Sequence, residues 1–329
     1  MKDAVIVALG RSAIGKAPKG VFRLSRPEDI GAQVLSGVLK QVPQLDARHI
    51  DDVIVGCAFP EAEQGMNLAK IVISKAIPGV DIPGQTVNRF CSSGLQTIAT
   101  AANAIMAGQA EVIIAGGIEL MSTIPMGGNI VAPNPDLIQS QPDAYTAMGI
   151  TAENVAEQYG VTRRMQDEFS MESHRRANAA RTEGKFAQEI IPVEAVTTYV
   201  DETGHTRMGL RTVAEDEGIR PQTTMESLGK LHTVFKLGGT VTPGNSSQTS
   251  DGAAFVILMS GEKAAELGVR PIAKFISFAV AGVPSELMGI GPIAAIPKAL
   301  KIAGLRQEDM DIIELNEAFA AQSLACINT

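Results

Sequence analysis

Tryptophan is absent from the 329-residue chain, aromatic residues make up only 4%, and cysteine occurs three times, at Cys57, Cys91 and Cys326. Three scattered cysteines are too few, and odd in number, for a secreted disulfide framework, and they fit a reducing, cytoplasmic compartment. A long basic run is also missing, and the formal net charge is -8. That balance speaks against a broad surface for nucleic acid or anionic membrane, so an anionic ligand has to be held by local groups. Apolar runs such as Phe275–Val283 fall far short of the roughly 20 residues that span a bilayer. The opening MKDAVIVALG has one early lysine followed at once by Asp3. Its apolar run is too short for the core of a signal peptide and reads as a strand.

What is present is a 45% hydrophobic chain with room for one large core or two ordinary ones. Short β-rich runs, AVIVALG, DVIVGC, EVIIAGG, AAFVILMS and DIIEL, alternate with helical patterns, as in an α/β protein with buried strands. Ser25–Glu28 reads as a capping box before the stripe Ile30, Val34, Leu35, Val38, and Gly108 as the C-cap of an Ala-rich helix. A weak repeat sets LDARHIDDVIVGCAF from Leu45 over LRQEDMDIIELNEAF from Leu305, a constant offset of 260 residues. Both copies read as helix, turn, buried strand and loop, which suggests duplicated halves. An offset of that size needs an insertion between the copies. From about Glu119 to Thr249 the strand pattern lapses into Gly/Pro/Ser-rich stretches, a charged helix near 162–181 and a polar DETGHT turn.

Cys91 stands between an extended approach, TVNRF, and a run of small residues, SSGLQTIATAANAIMAG. An ordinary thiol is only a few per cent ionised at neutral pH. A cysteine at a helix start would have its thiolate favoured by exposed N–H groups and the helix dipole. The same N–H groups could bind an oxyanion. A buried, inert cysteine is the competing reading.

NRFCSSGLQ, MGITAENVA, DEGIRPQTTMESLGKLHTVF, TVTPGNSSQTSDGAA, SELMGIGP and LNEAFAAQ, in that order and spacing along the whole chain, resemble the thiolase family of acetyl-CoA acyltransferases. The resemblance implies an α/β fold of two duplicated halves in a five-layered αβαβα core with an inserted loop domain. Residues 1–118 with 250–269 would form the N-terminal half. Residues 119–249 would form the loop domain, with coenzyme A binding and oligomer contacts, and residues 270–329 a partial C-terminal half. Carried over by motif, Cys91 is the implied acyl-accepting nucleophile and Asn316 the holder of an oxyanion-hole water. Met148, Met288, Ala318 and Phe319 are implied walls for the acyl and pantetheine parts, and Ser247 is implied to meet the pantetheine amides. Arg220, Ser227, Leu231 and Phe235 are implied to border the adenosine end. Met148, Met288, Leu231 and Phe235 read equally as core, Ser247 as a turn residue and Arg220 as a solvated charge.

Family members also carry a catalytic histidine in a GHPxGxSG-like motif and a second cysteine in CxGGG, beyond NEAFA. Neither string occurs in these residues, and His49, His174, His205 and His232 sit in unsuitable settings. The expectation is therefore a second half left incomplete and a chain without the full catalytic set. The implied activity is cleavage of 3-oxoacyl-CoA by coenzyme A, as in fatty-acid β-oxidation. Coenzyme A and acyl-CoA thioesters are then substrates, with no cofactor and no metal, in a cytoplasmic homodimer or homotetramer. Ala147, where biosynthetic acetoacetyl-CoA thiolases tend to have histidine, favours the degradative direction. A biosynthetic acetoacetyl-CoA thiolase and a non-catalytic acyl-CoA or lipid carrier are the alternatives.

Overall fold

The computed structural model describes residues 2–329. Contacts divide the chain into two compact units, Met1–Val131 with Phe186–Gly218 and Thr249–Phe275, and Ala132–Lys185 with Ile219–Gln248 and Ile276–Thr329. The stretch 119–249 is thus shared between them.

The first unit is built on a seven-stranded mixed sheet. Its strands are β1 (Ala4–Arg11), β2 (Gly15–Lys16), β3 (Asp52–Gly56), β4 (Gly84–Val87), β5 (Val112–Leu120), β8 (Ser250–Ser260) and β9 (Ala273–Lys274), with β6 (Val193–Val200) and β7 (Thr206–Val213) forming a separate hairpin. The order is β4-β3-β5-β8-β1-β9, with β2 also on β8. β3 runs parallel to β4 and β5, while β8 is antiparallel to β5 and β1. Apolar residues alternate between the two faces, as a period of two requires. Val53, Val55, Ile114 and Ile257 pack toward α1 (Pro27–Leu39) and α2 (Leu68–Ala76). Ile54, Ile113, Ala115 and Leu258 pack toward α3 (Ser93–Met106).

Helix α1 begins differently from its sequence signal. Arg26, not Ser25, is the N-cap, and it makes no side-chain cap bond. The Ser25 hydroxyl instead accepts the Val196 N–H at 3.1 Å, and Glu28 pairs with Arg26. Pro27 at the first position still fits, since its missing N–H would have no partner there. Helix α3 ends as expected. Gly108 takes φ +74° and donates to the Ile105 carbonyl, while Gln109 donates to Ala104, closing a Schellman turn. The expected lapse of sheet in 119–249 is corrected in one place, because β6 and β7 pair along their full length with residues 201–205 turning between them. There Asp201 accepts the N–H groups of Thr203 and His205.

The second unit carries α4 (Met148–Gln158), α5 (Arg163–Thr182), α6 (Gly291–Ala303) and α7 (Ala320–Asn328). Val155, Ala156 and Val161 pack there against Ala321 and Ala325. The proposed repeat shows locally. The 3-10 turns Ala47–His49 and Gln307–Asp309 fall at the same offset of 260 residues. The register then parts, because DVIVG becomes β3 whereas Asp311–Leu315, expected as a strand, pairs with no strand among the described residues. With its backbone unpaired, Ile312 and Ile313 stay exposed. The second large sheet of the expected five-layered core is accordingly not formed among the described residues.

Candidate active site

Cys91 lies in the single 3-10 turn Phe90–Ser92, which runs directly into α3. The turn is braced by short-range bonds. The Asn88 Oδ1 accepts the Phe90 N–H at 2.8 Å, and the Ser93 Oγ accepts the Arg89 N–H at 2.9 Å while donating to the Phe90 carbonyl at 2.6 Å. Phe90 is held at φ +45°, a region that costs a non-glycine residue energy and persists only where its surroundings impose it. Its ring meets Phe59, centroids 6.1 Å apart. The helix start sits close on the sheet because Gly56 ends β3, and a Cβ there would lie 2.7 Å from the Ser93 backbone. Ser92, the α3 N-cap, makes no side-chain cap bond and donates instead to the Arg89 carbonyl at 3.0 Å.

The electrostatics depart from the expectation that the helix start favours the thiolate. Cys91 is an exposed residue. Nevertheless, partial desolvation of its sulfur is the largest influence and raises the thiol pKa, the Glu119 charge raises it further, and the Cys91 backbone N–H opposes both. Cys91 precedes α3 rather than lying in its first turn, so the helix start does not offset these influences.

In the second unit the sequence-selected residues fall into two groups. Ser247 donates its N–H to the Ala318 carbonyl at 2.9 Å, Ser246 bridges to Phe319, and Ala320 donates to the Asn245 carbonyl at 3.0 Å. The GNSS and EAFA segments therefore form one short antiparallel ribbon. Phe319 meets Phe235 edge-on at 6.3 Å, and Phe235 covers Gly149 beside Met148, where a Cβ would lie 2.2 Å from the ring. Met288 is exposed in the turn Ser285–Ile290, which α4 holds through Asn154 Nδ2 on the Glu286 carbonyl. Asn316 is exposed, one residue before Glu317, which accepts the Ser173 hydroxyl at 2.6 Å.

The second group is looser. Arg220 is exposed, its N–H donates to His174 Nδ1 at 3.2 Å, and burial together with the Arg220 charge lowers the His174 pKa. Ser227 uses its hydroxyl in a reciprocal capping box with Thr224. The Leu231 carbonyl accepts from Arg163. Lys230 and Lys236, cationic candidates in the same stretch, are paired with Glu226 and Glu157.

Three polar residues that sequence reasoning passed over position the ribbon. Buried Glu153 accepts the N–H groups of Thr240 and Val241, while Asp167 accepts from Asn245, whose Oδ1 takes the Thr242 N–H. The signal was available, because Glu153 stands on the apolar face of MGITAENVA, where a carboxylate needs partners. Among the described residues, no cluster of three or more His, Cys, Asp or Glu could hold a metal, and no helix is long and apolar enough to cross a membrane.

An exposed thiol on a strained turn at the head of a sheet-packed helix has the chemistry of a nucleophile within reach. The thiolase N-terminal domain profile matches residues 4–262 and the thiolase C-terminal domain profile residues 269–329. The 3-ketoacyl-CoA thiolase of Bacillus subtilis (strain 168) is 52% identical over 99% of this chain and 83% of its own length. That of Saccharophagus degradans is 46% identical over 98% and 81%. The crystal structure of the Bacillus anthracis acetyl-CoA acetyltransferase superposes with a TM-score of 0.86 at 35% identity, covering 100% of this chain and 83% of the other. The chain belongs to the thiolase family. Both family domains are represented, so neither an incomplete second half nor a chain without the full catalytic set is supported.

Proposed function

We infer that this protein is a 3-oxoacyl-CoA thiolase that forms its acyl-enzyme on Cys91. The observation that carries this is the Cys91 turn itself: an exposed thiol held on imposed backbone strain at the start of α3. An inert structural cysteine needs neither exposure nor strain. The relatives named 3-ketoacyl-CoA thiolase support the substrate class.

In the degradative direction the Cys91 sulfur, giving up its proton, attacks the keto carbon of 3-oxoacyl-CoA. The bond between that carbon and the α-carbon breaks, and acetyl-CoA leaves as its enolate, which takes up a proton. Coenzyme A then attacks the acyl thioester, and the shortened acyl-CoA departs as Cys91 recovers its thiol. Burial and the Glu119 charge disfavour the thiolate, so removal of the thiol proton belongs with the attack. We assign Asn316 to holding a water that hydrogen-bonds the developing oxyanion. The ribbon residues Ser247, Ala318 and Phe319, with Phe235, Met148 and Met288, are assigned to the pantetheine and acyl parts. Arg220, Ser227 and Leu231 are assigned to the adenosine end. Ala147, the N-cap of α4, stands where biosynthetic acetoacetyl-CoA thiolases tend to have histidine, and we take it to favour longer acyl chains. Within this reading 119–249 serves coenzyme A binding and contacts in a cytoplasmic homodimer or homotetramer, which light scattering would measure. No cofactor is invoked.

Acylation is directly testable. Incubation with acetyl-CoA should add one acetyl group to Cys91, read by intact-protein and peptide mass spectrometry, and Cys91→Ser should remove it while coenzyme A binding persists. A native chain that binds acetyl-CoA yet never becomes acylated would be the carrier of the alternative reading.

A further inference from the structure

Glu119, at the end of β5, is a half-buried carboxylate to which the acyl transfer above gives no task. Its two oxygens are fully engaged. Oε2 accepts the Ala58 N–H at 2.6 Å, and Oε1 accepts the Gln64 side-chain amide at 2.7 Å, with the Cys57 sulfur 4.0 Å away. Gln64, fully buried, is itself fixed, since its Oε1 takes the Leu120 N–H at 2.6 Å and its Nε2 also reaches the Phe59 carbonyl at 3.0 Å.

These bonds hold the loop that follows β3, and that loop holds the Cys91 turn. The Ala58 carbonyl accepts the Asn88 side-chain amide at 2.9 Å, and the Asn88 Oδ1 accepts the N–H of strained Phe90. Phe59, the next residue of the loop, packs its ring on Phe90. One carboxylate thus fixes both the backbone and the ring contact that impose the turn. We propose that Glu119 is a positioning residue for the Cys91 nucleophile, anchoring through Ala58 and Asn88 the turn that presents the sulfur. This rests on the reading of Cys91 as the nucleophile.

The charge around both groups is simple. Among the described residues Glu119 on β5 is the charged group whose field acts on the Cys91 thiol. Arg89, on the turn itself, is exposed. Facing Glu119 are the neutral Gln64 and the Cys57 thiol, from the segment after β3. Burial raises the Glu119 pKa, and its hydrogen bonds oppose that. A negative neighbour penalises the thiolate, so the cost of presenting the sulfur on this turn is a thiol that resists ionisation. Removing the charge should make the thiol easier to ionise and yet, by loosening the turn, make it react worse with a thioester.

Opposite movements of ionisation and acyl transfer would not follow from a merely structural carboxylate. The experiment compares Glu119→Gln and Glu119→Asp with the parent chain. Iodoacetamide labelling of Cys91 is followed against pH, with Cys91→Ser as background, and acylation by acetyl-CoA is followed by mass. In Glu119→Gln the labelling midpoint should move to lower pH while acylation slows about tenfold or more. In Glu119→Asp, which keeps the charge on a shorter arm, acylation should slow with the midpoint unmoved. A folded Glu119→Gln chain with an unmoved midpoint, or one that acylates as fast as the parent, overturns the proposal. If Glu119→Gln does not fold, Glu119→Asp acylating at the parent rate overturns it. If the parent chain itself is never acylated, the nucleophile reading fails, and the labelling midpoint of Glu119→Gln still judges Glu119.

Discussion

Two cysteines show how far local surroundings separate residues of one type. Cys57 is buried at the end of β3, where burial, with Glu119 adding to it, pushes its thiol up to about 12. Because this folded value lies above the unfolded one, near 8.5, its contribution to stability is complete below about pH 8.5 and is lost as the pH climbs toward 12. Cys91 is raised too, but it is exposed. At pH 8 to 9 iodoacetamide should therefore label Cys91 in the folded chain and leave Cys57 untouched, with labelling of Cys91 quickening as the pH rises. Peptide mapping decides it, and equal labelling of the two would contradict the burial assigned to Cys57. The sequence marked Cys91 by its flanking residues. It could not show the sign of the thiol shift, because that depends on Glu119, 28 positions away on β5, which pairs with β3 while β4, the strand leading to Cys91, pairs with the other edge of β3.

Elements were legible where periodicity and caps agree. AVIVALG, DVIVGC, EVIIAGG and AAFVILMS all became strands, and Gly108 ended α3. DIIEL did not become a strand, because an apolar run is only a candidate until another strand satisfies its backbone. The Ser25 capping box failed for a related reason, since the hydroxyl was claimed by β6 from far along the chain. Helix α3 also depends on what lies beneath it. In Gly56→Ala the new methyl would meet the Ser93 backbone at 2.7 Å, so stability should fall by about 1–3 kcal/mol as the α3 start is pushed off β3. Cys91 acylation should slow in the same variant. Gly117→Ala is the control, because its nearest neighbour lies at an ordinary 3.4 Å and little change is expected. Melting temperature and acylation rate read both, and equal behaviour of the two variants would remove the close-approach argument.

At the scale of the molecule, a net charge of -8 faces an anionic substrate. Lys230 and Lys236 are already paired with carboxylates, which leaves Arg220 as the cation of that stretch without an ion pair among the described residues. Arg220→Ala should weaken coenzyme A binding about two- to fivefold at low ionic strength, with the difference closing as salt is added. Calorimetry at two salt concentrations measures it, and an unchanged affinity at low salt would remove Arg220 from the coenzyme site. The repeat near 45 and 305 was legible as sequence, but only its 3-10 turns share a structure here. The order of strands carries a further consequence for synthesis. Strand β1 is made long before its partners, β8 and β9, with Ala4 opposite Ser260 and Val5 opposite Lys274. While the ribosome works through the intervening residues, AVIVALGR has no partner to hide its backbone or side chains, and such segments invite aggregation. Closing so long a loop adds only about 0.6 kcal/mol per doubling of its length. The delay is thus one of time, and β1 is a segment that a chaperone would have to shield until its partners emerge.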